Sequence, residues 1–335
     1  MFPGHLIKSI LLCSILALAG CSQQSDIEII RAISMLPRQT DYTRDFEQWV
    51  KQVNELGEGK FRIIFVGGPE AIPTFEQADA VRTGVVHMVF GPATYYIGLL
   101  PEVEALFSSN LTPRETRANG GIELMDRIHR QKLDVRYLAR AMFIEFHVFT
   151  REKPPLDASG IPDLRSTLIR GGPVWRSFIN SLGARFVNVA APDIYMALER
   201  NMIQGVGWPI VGLEDSSWHQ HLKYRIDPGV FSSDVGIIFN QDRWEQLPAS
   251  VRDILHKAVL DYETDSYDRF RKRTRELDER MRQLGMEAVS LDGNGERKYR
   301  QLAHDVIWQR LRERSPEYYP ELLDKFYRAD EVRQE

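Results

Sequence analysis

The sequence predicts an α/β protein built as two similar lobes with a cleft between them. Two stretches, 27–90 and 164–209, each read as strand, helix, strand, helix, strand, the order of a mainly parallel sheet. An apolar segment at 134–149 sits between them as a crossing point. A helical pattern over 248–284 would run roughly 55 Å at 1.5 Å per residue, longer than one small lobe.

In the first stretch, 27–34 is a strand and 41–56 is a helix that places Phe46, Trp49, Val50 and Val53 on one face. A strand over 61–66 ends at Gly67-Gly68, a helix over 75–83 stops at Gly84, and 85–90 is a third strand. Tyr95 follows the carboxyl end of that strand, where it can line the cleft or pack half-buried. Glu70 occupies a strand-end loop and reads as a cleft acid or as a solvated, capping one. Residues 113–132 form a helix with one polar face.

The 134–149 segment holds two extended apolar runs. Glu145 and His147 are two apart, so they share one strand face. An ion pair serving a buried histidine and a ligand contact are equal readings there. In the second stretch, 166–170 is a strand stopped by Gly171-Gly172-Pro173, and 174–182 is a helix closed by Gly183. A strand at 185–189, a helix at 193–201 and a strand at 203–209 follow.

Ligands of such sheets sit beyond the carboxyl ends of the strands. Arg170 ends one strand there and Trp208 another. A guanidinium before a helix start suits a carboxylate, because its fork matches two oxygens. By spacing alone Arg170 also fits a solvated strand-end arginine. His219 and His221 invite a metal reading, but no third ligand lies at a convincing spacing. Strands over 224–228 and 230–240 return toward the first lobe. The long helix over 248–284 carries a charged middle, including Asp265, Arg269 and Arg273, that suits a solvated face. A strand at 287–290, a helix at 299–314 and a helical tail at 318–327 complete the chain.

The chain has 335 residues, a net charge of −4 and 43% hydrophobic side chains, enough for one large or two medium cores. The near-balanced charge and the lack of a basic, aromatic-interleaved patch argue against nucleic acid. Both cysteines, Cys13 and Cys21, fall near the start, which excludes a disulfide framework. Residues 1–21 read as a signal peptide whose apolar run is too short to span a bilayer. Leu18-Ala19-Gly20-Cys21 looks like a lipobox, making Cys21 the expected lipidated N-terminus; a plain secretory signal is the alternative.

Several runs together resemble one family. They are Asp163-Leu164, Leu168-Ile169-Arg170, Leu182-Gly183-Ala184, Tyr195, Ala197-Leu198-Glu199 and Gly205 to Pro209. Gly67 to Pro73, Gln77, Ala80-Val81, Gly84 to Val86 and Met88 add to them upstream. The chain is similar over nearly all its mature length to the DctP-type solute-binding proteins of tripartite ATP-independent periplasmic (TRAP) transporters. It departs from the pattern at Gln204, where the family has an aspartate, and at Trp208, where many members have asparagine. It also lacks the second-lobe glycine and has Ser166-Thr167 nearby.

The resemblance implies a type II-like periplasmic binding protein fold, with the long helix spanning both lobes. Lobe I is expected over 26–146 with 235–265 returning to it. Lobe II is expected over 147–234 with 266–310 partly packed on it, and 311–335 forms a tail. A small organic acid is the implied ligand, delivered in the periplasm to integral permease subunits; the aromatic residues near the strand ends, with Trp208 in place of asparagine, favour an apolar or aromatic body for it. Arg170 would hold its carboxylate. Trp208 and Trp175 would form a wall, and Tyr95, Glu145, His147 and Glu70 would orient the ligand. The family segment after the Pro-Gly adds Phe231 and Asp234. No cofactor is implied, although some members bridge ligand and cleft with sodium or calcium. The rival readings are a ligand-sensing protein for a signalling receptor and an enzyme acting on a small carboxylate. The enzyme reading lacks any catalytic motif.

Overall fold

The computed structural model describes residues 27–189 and 191–328; the side chains of Pro192, Ser233 and Asp234 lie outside the described residues. Lobe I begins with β1 (Glu28–Ser34), α1 (Asp41–Leu56), β2 (Phe61–Gly67), α2 (Gln77–Arg82) and β3 (Met88–Gly91). Strand β1 lies between β2 and β3, parallel to both. The expected amphipathic face of α1 is the buried one: Phe46, Trp49, Val50 and Val53 enter the core. Thr40 caps this helix by accepting from the Thr43 amide.

Three helices follow: α3 (Glu104–Phe107), α4 (Pro113–Ala118) and α5 (Gly121–Leu133). The sequence pattern reads 113–132 as one helix, but Gly120 adopts φ +85 and breaks it into α4 and α5. Left-handed backbone is open to glycine at little steric cost.

The lobes share two long strands, β4 (Val135–Thr150) and, later in the chain, a return strand (Tyr224–Asn240). Between them come β5 (Leu168–Arg170), α6 (Arg176–Ser181), β6 (Arg185–Val187), α7 (Ile194–Glu199) and β7 (Gly205–Pro209). The return strand is then β8. Strands β4 and β8 pair antiparallel along their length, so each runs through both lobes. The two shorter runs expected on each side are therefore single elements. The strand order is β2-β1-β3-β8-β4-β7-β5-β6. The register of β4 on β8 shifts between Ala141 and Ile144, where buried Met142 takes φ +51. A bulge of this kind bends a strand and re-aims its side chains.

Last come α8 (Gln241–Gln246), α9 (Ala249–Gln283), β9 (Glu287–Ser290), α10 (Gly293–Arg314) and α11 (Tyr319–Phe326). Helix α9 is the long element predicted. Its charged middle is not simply solvated: Arg269 grips Asp45 at 2.9 Å and Arg273 reaches Asp41 at 3.1 Å, both on α1. Further along, Arg280 meets Glu214 at 3.0 Å, and Asp278 pairs with Arg225 of β8. One helix thus fastens to lobe I at its middle and lobe II near its end.

Helix α10 starts earlier than its sequence pattern, because Asp292 caps it through the amides of Asn294 and Gly295. Gly295 lies against the Gly160 carbonyl, where a Cβ would sit 2.3 Å away, so this glycine serves close approach rather than helix breaking. Helix α11 adds Leu322 and Phe326 to a core that includes Ile122 and Met125.

Glu263 is the buried anchor of α9, 4% exposed. It takes both Nε and Nη2 of Arg117, at 2.6 and 2.8 Å, and the Arg140 amide at 2.8 Å. Replacing Glu263 by alanine should cost about 3 kcal/mol, since Arg117 and that amide lose their partner in low dielectric. Urea unfolding checks this; a loss below about 1 kcal/mol would show that the pair contributes little. Ser166, in the run that lacks the family pattern's glycine, adopts φ +68. Ser166→Gly should therefore gain up to about 1 kcal/mol by relieving a left-handed residue. The same melts test it, and a lower midpoint would contradict the strain.

Candidate ligand-binding site

A cavity lies between the lobes, at the carboxyl ends of the parallel strands. Lobe I contributes Leu36 after β1, Tyr42 of α1, and Pro92, Thr94 and Tyr95 after β3. Lobe II contributes Arg170 at the end of β5, Trp175 in the turn beyond it, and Gly207 to Pro209 of β7. Phe107, Ile144, Phe146 and Val235 close the base where the lobes meet. The space measures about 60 Å³ to water centres, several times what one water needs.

Arg170 is 6% exposed. Its Nε donates to the Val189 carbonyl at 2.9 Å, and its guanidinium carbon lies 5.0 Å from the centroid of the Trp208 ring. Among the described residues no carboxylate stands within ion-pair distance of it. Burial pulls the guanidinium below its ordinary pKa, yet arginine stays charged in proteins. A cation over an indole face is held in orientation and partly compensated. Tyr95 faces it from lobe I: burial raises the Tyr95 hydroxyl pKa, with Arg170 pulling in the opposite sense. That hydroxyl is therefore a neutral donor near neutral pH.

The wall is aromatic. Trp175 is 2% exposed and lies flat on Gly207, where a Cβ would meet its ring at 2.7 Å. Phe231 is buried behind that wall, edge-on to Trp175 at 5.1 Å and 4.6 Å from Phe107, so it supports the lining instead of forming it. Tyr42 donates to the Val211 carbonyl of lobe II at 3.4 Å and stacks on Phe270 of α9 at 5.4 Å. Trp208 packs edge-on against Trp218 at 5.2 Å.

The structure brings Arg170, Trp208, Trp175 and Tyr95 together. It does not bring Glu145, His147 or Glu70 into that lining. Ile144 and Phe146 are the β4 residues on the cavity, so Glu145 and His147, which alternate with them, face the other side. There His147 is buried, with Nδ1 3.0 Å from Asp227 and Nε2 3.6 Å from Glu145. Burial alone would raise Asp227, but hydrogen bonds from His147 and Arg225 hold its carboxyl at about 2. Of the two readings of this pair, the ion-pair geometry is the one present. Glu70 accepts from the Gly68 amide at 2.7 Å and closes its own loop. The Asp234 side chain and Cys21 lie outside the described residues. Gln204 caps the edge of β5, accepting from Leu168 at 2.8 Å.

Sequence reasoning missed Tyr42, Phe107 and Phe146. Only Phe146 left a signal: Ile144 and Phe146 alternate with the polar pair, and either set can face inward. No described carboxylate, amide or imidazole lines the cavity. Nor do three His, Cys, Asp or Glu side chains gather as a metal site anywhere among the described residues.

The fold has known counterparts. An extracytoplasmic solute receptor from Bordetella pertussis that binds pyroglutamic acid superimposes with a TM-score of 0.76, 18% identical, covering 89% of this chain and 99% of that one. A TRAP transporter solute-binding protein from Bordetella bronchiseptica, with calcium and picolinate in its site, gives a TM-score of 0.77 at 21% identity, covering 90% and 92%. A monocarboxylate 2-oxoacid-binding periplasmic protein of Nostoc is 21% identical over 227 residues, 64% of this chain; the match spans 60% of that protein's length. The profile of the DctP family matches residues 33–314. The chain belongs to the bacterial extracellular solute-binding proteins of family 7, DctP.

Proposed function

We propose that this protein is a periplasmic receptor for a small carboxylate with an apolar or aromatic body, which it delivers to the integral subunits of a TRAP transporter. The observation that carries this reading is Arg170: a buried cation, without a carboxylate partner among the described residues, at the wall of an otherwise apolar cavity. Such a charge is costly unless an anion joins it. The relatives' ligands, pyroglutamate, picolinate and 2-oxoacids, all carry a carboxylate. Arg170 takes that carboxylate, Tyr95 donates from the opposite lobe, and Trp175 and Trp208 cover the body of the ligand. Exclusion of water strengthens the ion pair well beyond its surface value. The protein binds without turning its ligand over.

Lobe I spans 26–146 with 235–265, and lobe II spans 147–234 with part of 266–310. The lobes close by bending where β4 and β8 pass between them. Lipid on Cys21 tethers the receptor to the envelope.

A thermal-shift screen of the purified protein against small carboxylates tests the ligand class. An acid at 100 times its dissociation constant should add about 2.7 kcal/mol, and uncharged analogues should add nothing. Arg170→Ala should weaken the best acid by about 3 kcal/mol with the fold intact by circular dichroism. Unchanged affinity in that variant would falsify the role of Arg170. In cells, labelled palmitate should enter the wild-type protein and not Cys21→Ala; equal labelling of both would remove the lipid tether.

A further inference from the structure

The charge of the cavity is lopsided. Arg170 is the only charged side chain among the described residues that line it. The side-chain oxygens available are hydroxyls of Tyr42, Thr94 and Tyr95, and the Tyr42 hydroxyl already serves the Val211 carbonyl. Calcium asks for six to eight oxygen ligands, with carboxylates among them. A metal ion here would instead share a small space with a guanidinium and meet no described anionic group except the ligand itself. Of the acids on the crossing strands whose side chains are described, Glu145 and Asp227 are engaged with His147, and Asp227 also with Arg225, on the opposite face.

We propose that this cavity takes its ligand as a bare monocarboxylate, with Arg170 as the whole of its countercharge and no bridging cation. This rests on the carboxylate reading of the site. It separates the chain from the Bordetella bronchiseptica relative, whose site holds calcium with picolinate. It also defines the acids refused. A second carboxylate would be desolvated against Leu36, Phe107, Phe146 and Trp175 with no second cation to meet it.

The test is calorimetry on the purified protein, stripped with EDTA into a choline buffer free of sodium. Benzoate and isovalerate are titrated against phthalate and malonate, with and without restored calcium or sodium. Affinity for the monocarboxylates should change by less than about twofold when a cation is added. The dicarboxylates should bind at least about 100-fold more weakly. A tenfold or greater gain from either cation, roughly 1.4 kcal/mol, would overturn the proposal. Asp234→Asn is run in parallel, and a cation dependence that this change abolishes would name the missing ligand and equally overturn it. Dicarboxylates binding as tightly as monocarboxylates would overturn the single-charge claim while leaving the receptor reading intact. Failure of every acid under every condition would overturn both.

Discussion

A guanidinium held out of water, with no carboxylate among the described residues to meet it, is the constraint on which this molecule turns. Left alone, Arg170 would cost several kcal/mol of desolvation. The fold makes it tolerable by three means: a carbonyl on Nε, an indole face beneath the charge, and an open side toward the cavity. Each partial compensation comes from a different place in the chain. Val189 follows β6, Trp208 belongs to β7, and the open side exists because lobe I stands opposite. Packing a hydrocarbon against that open side would strand the charge. Meeting it with an acid from the protein would neutralise the site for any ligand.

The architecture that keeps the lobes opposed is continuous rather than linked by a flexible tether. Strands β4 and β8 cross together, so neither lobe has a separate sheet. Their pairing is interrupted at Met142, which gives the pair a defined place to bend. Helix α9 runs beside the crossing, with α1 held through Asp41 and Asp45 and lobe II held through Asp278 and Arg280. These ion pairs are partly solvated and individually modest. The buried contacts, Glu263 to Arg117 and Trp49 to the Ala258 carbonyl at 3.1 Å, fix the helix on lobe I more firmly.

The aromatic wall shows how small residues set a binding surface. Trp175 reaches its position because Gly207 and Gly171 present no side chain to it; a Cβ at either place would stand 2.7 or 2.6 Å from its atoms. Phe231, Phe107 and Phe146 then lock the indole edge-on or tilted. A rigid wall of this kind spends little conformational entropy on binding, because its rotamers are already fixed.

The sequence by itself determined the α/β class, the two similar lobes, the long helix and the place of Arg170 at a strand end beyond which a ligand can sit. These follow from local rules: periodicity marks the elements, and a parallel sheet places its ligand beyond the strand ends. The family resemblance was readable from scattered runs such as Leu168-Ile169-Arg170. What only the tertiary structure decided was which side of a strand faces the cavity. Along β4 the alternation Ile144, Glu145, Phe146, His147 allows either pair inward, and the bulge at Met142 resets the phase. Polar residues drew attention to Glu145 and His147, while Phe146 took the cavity and the polar pair turned to Asp227. Tyr42 and Phe107 reach the site from elements whose own patterns speak only of core packing. Proximity across the cleft is set by long-range packing of two lobes, and no local spacing in the chain encodes it.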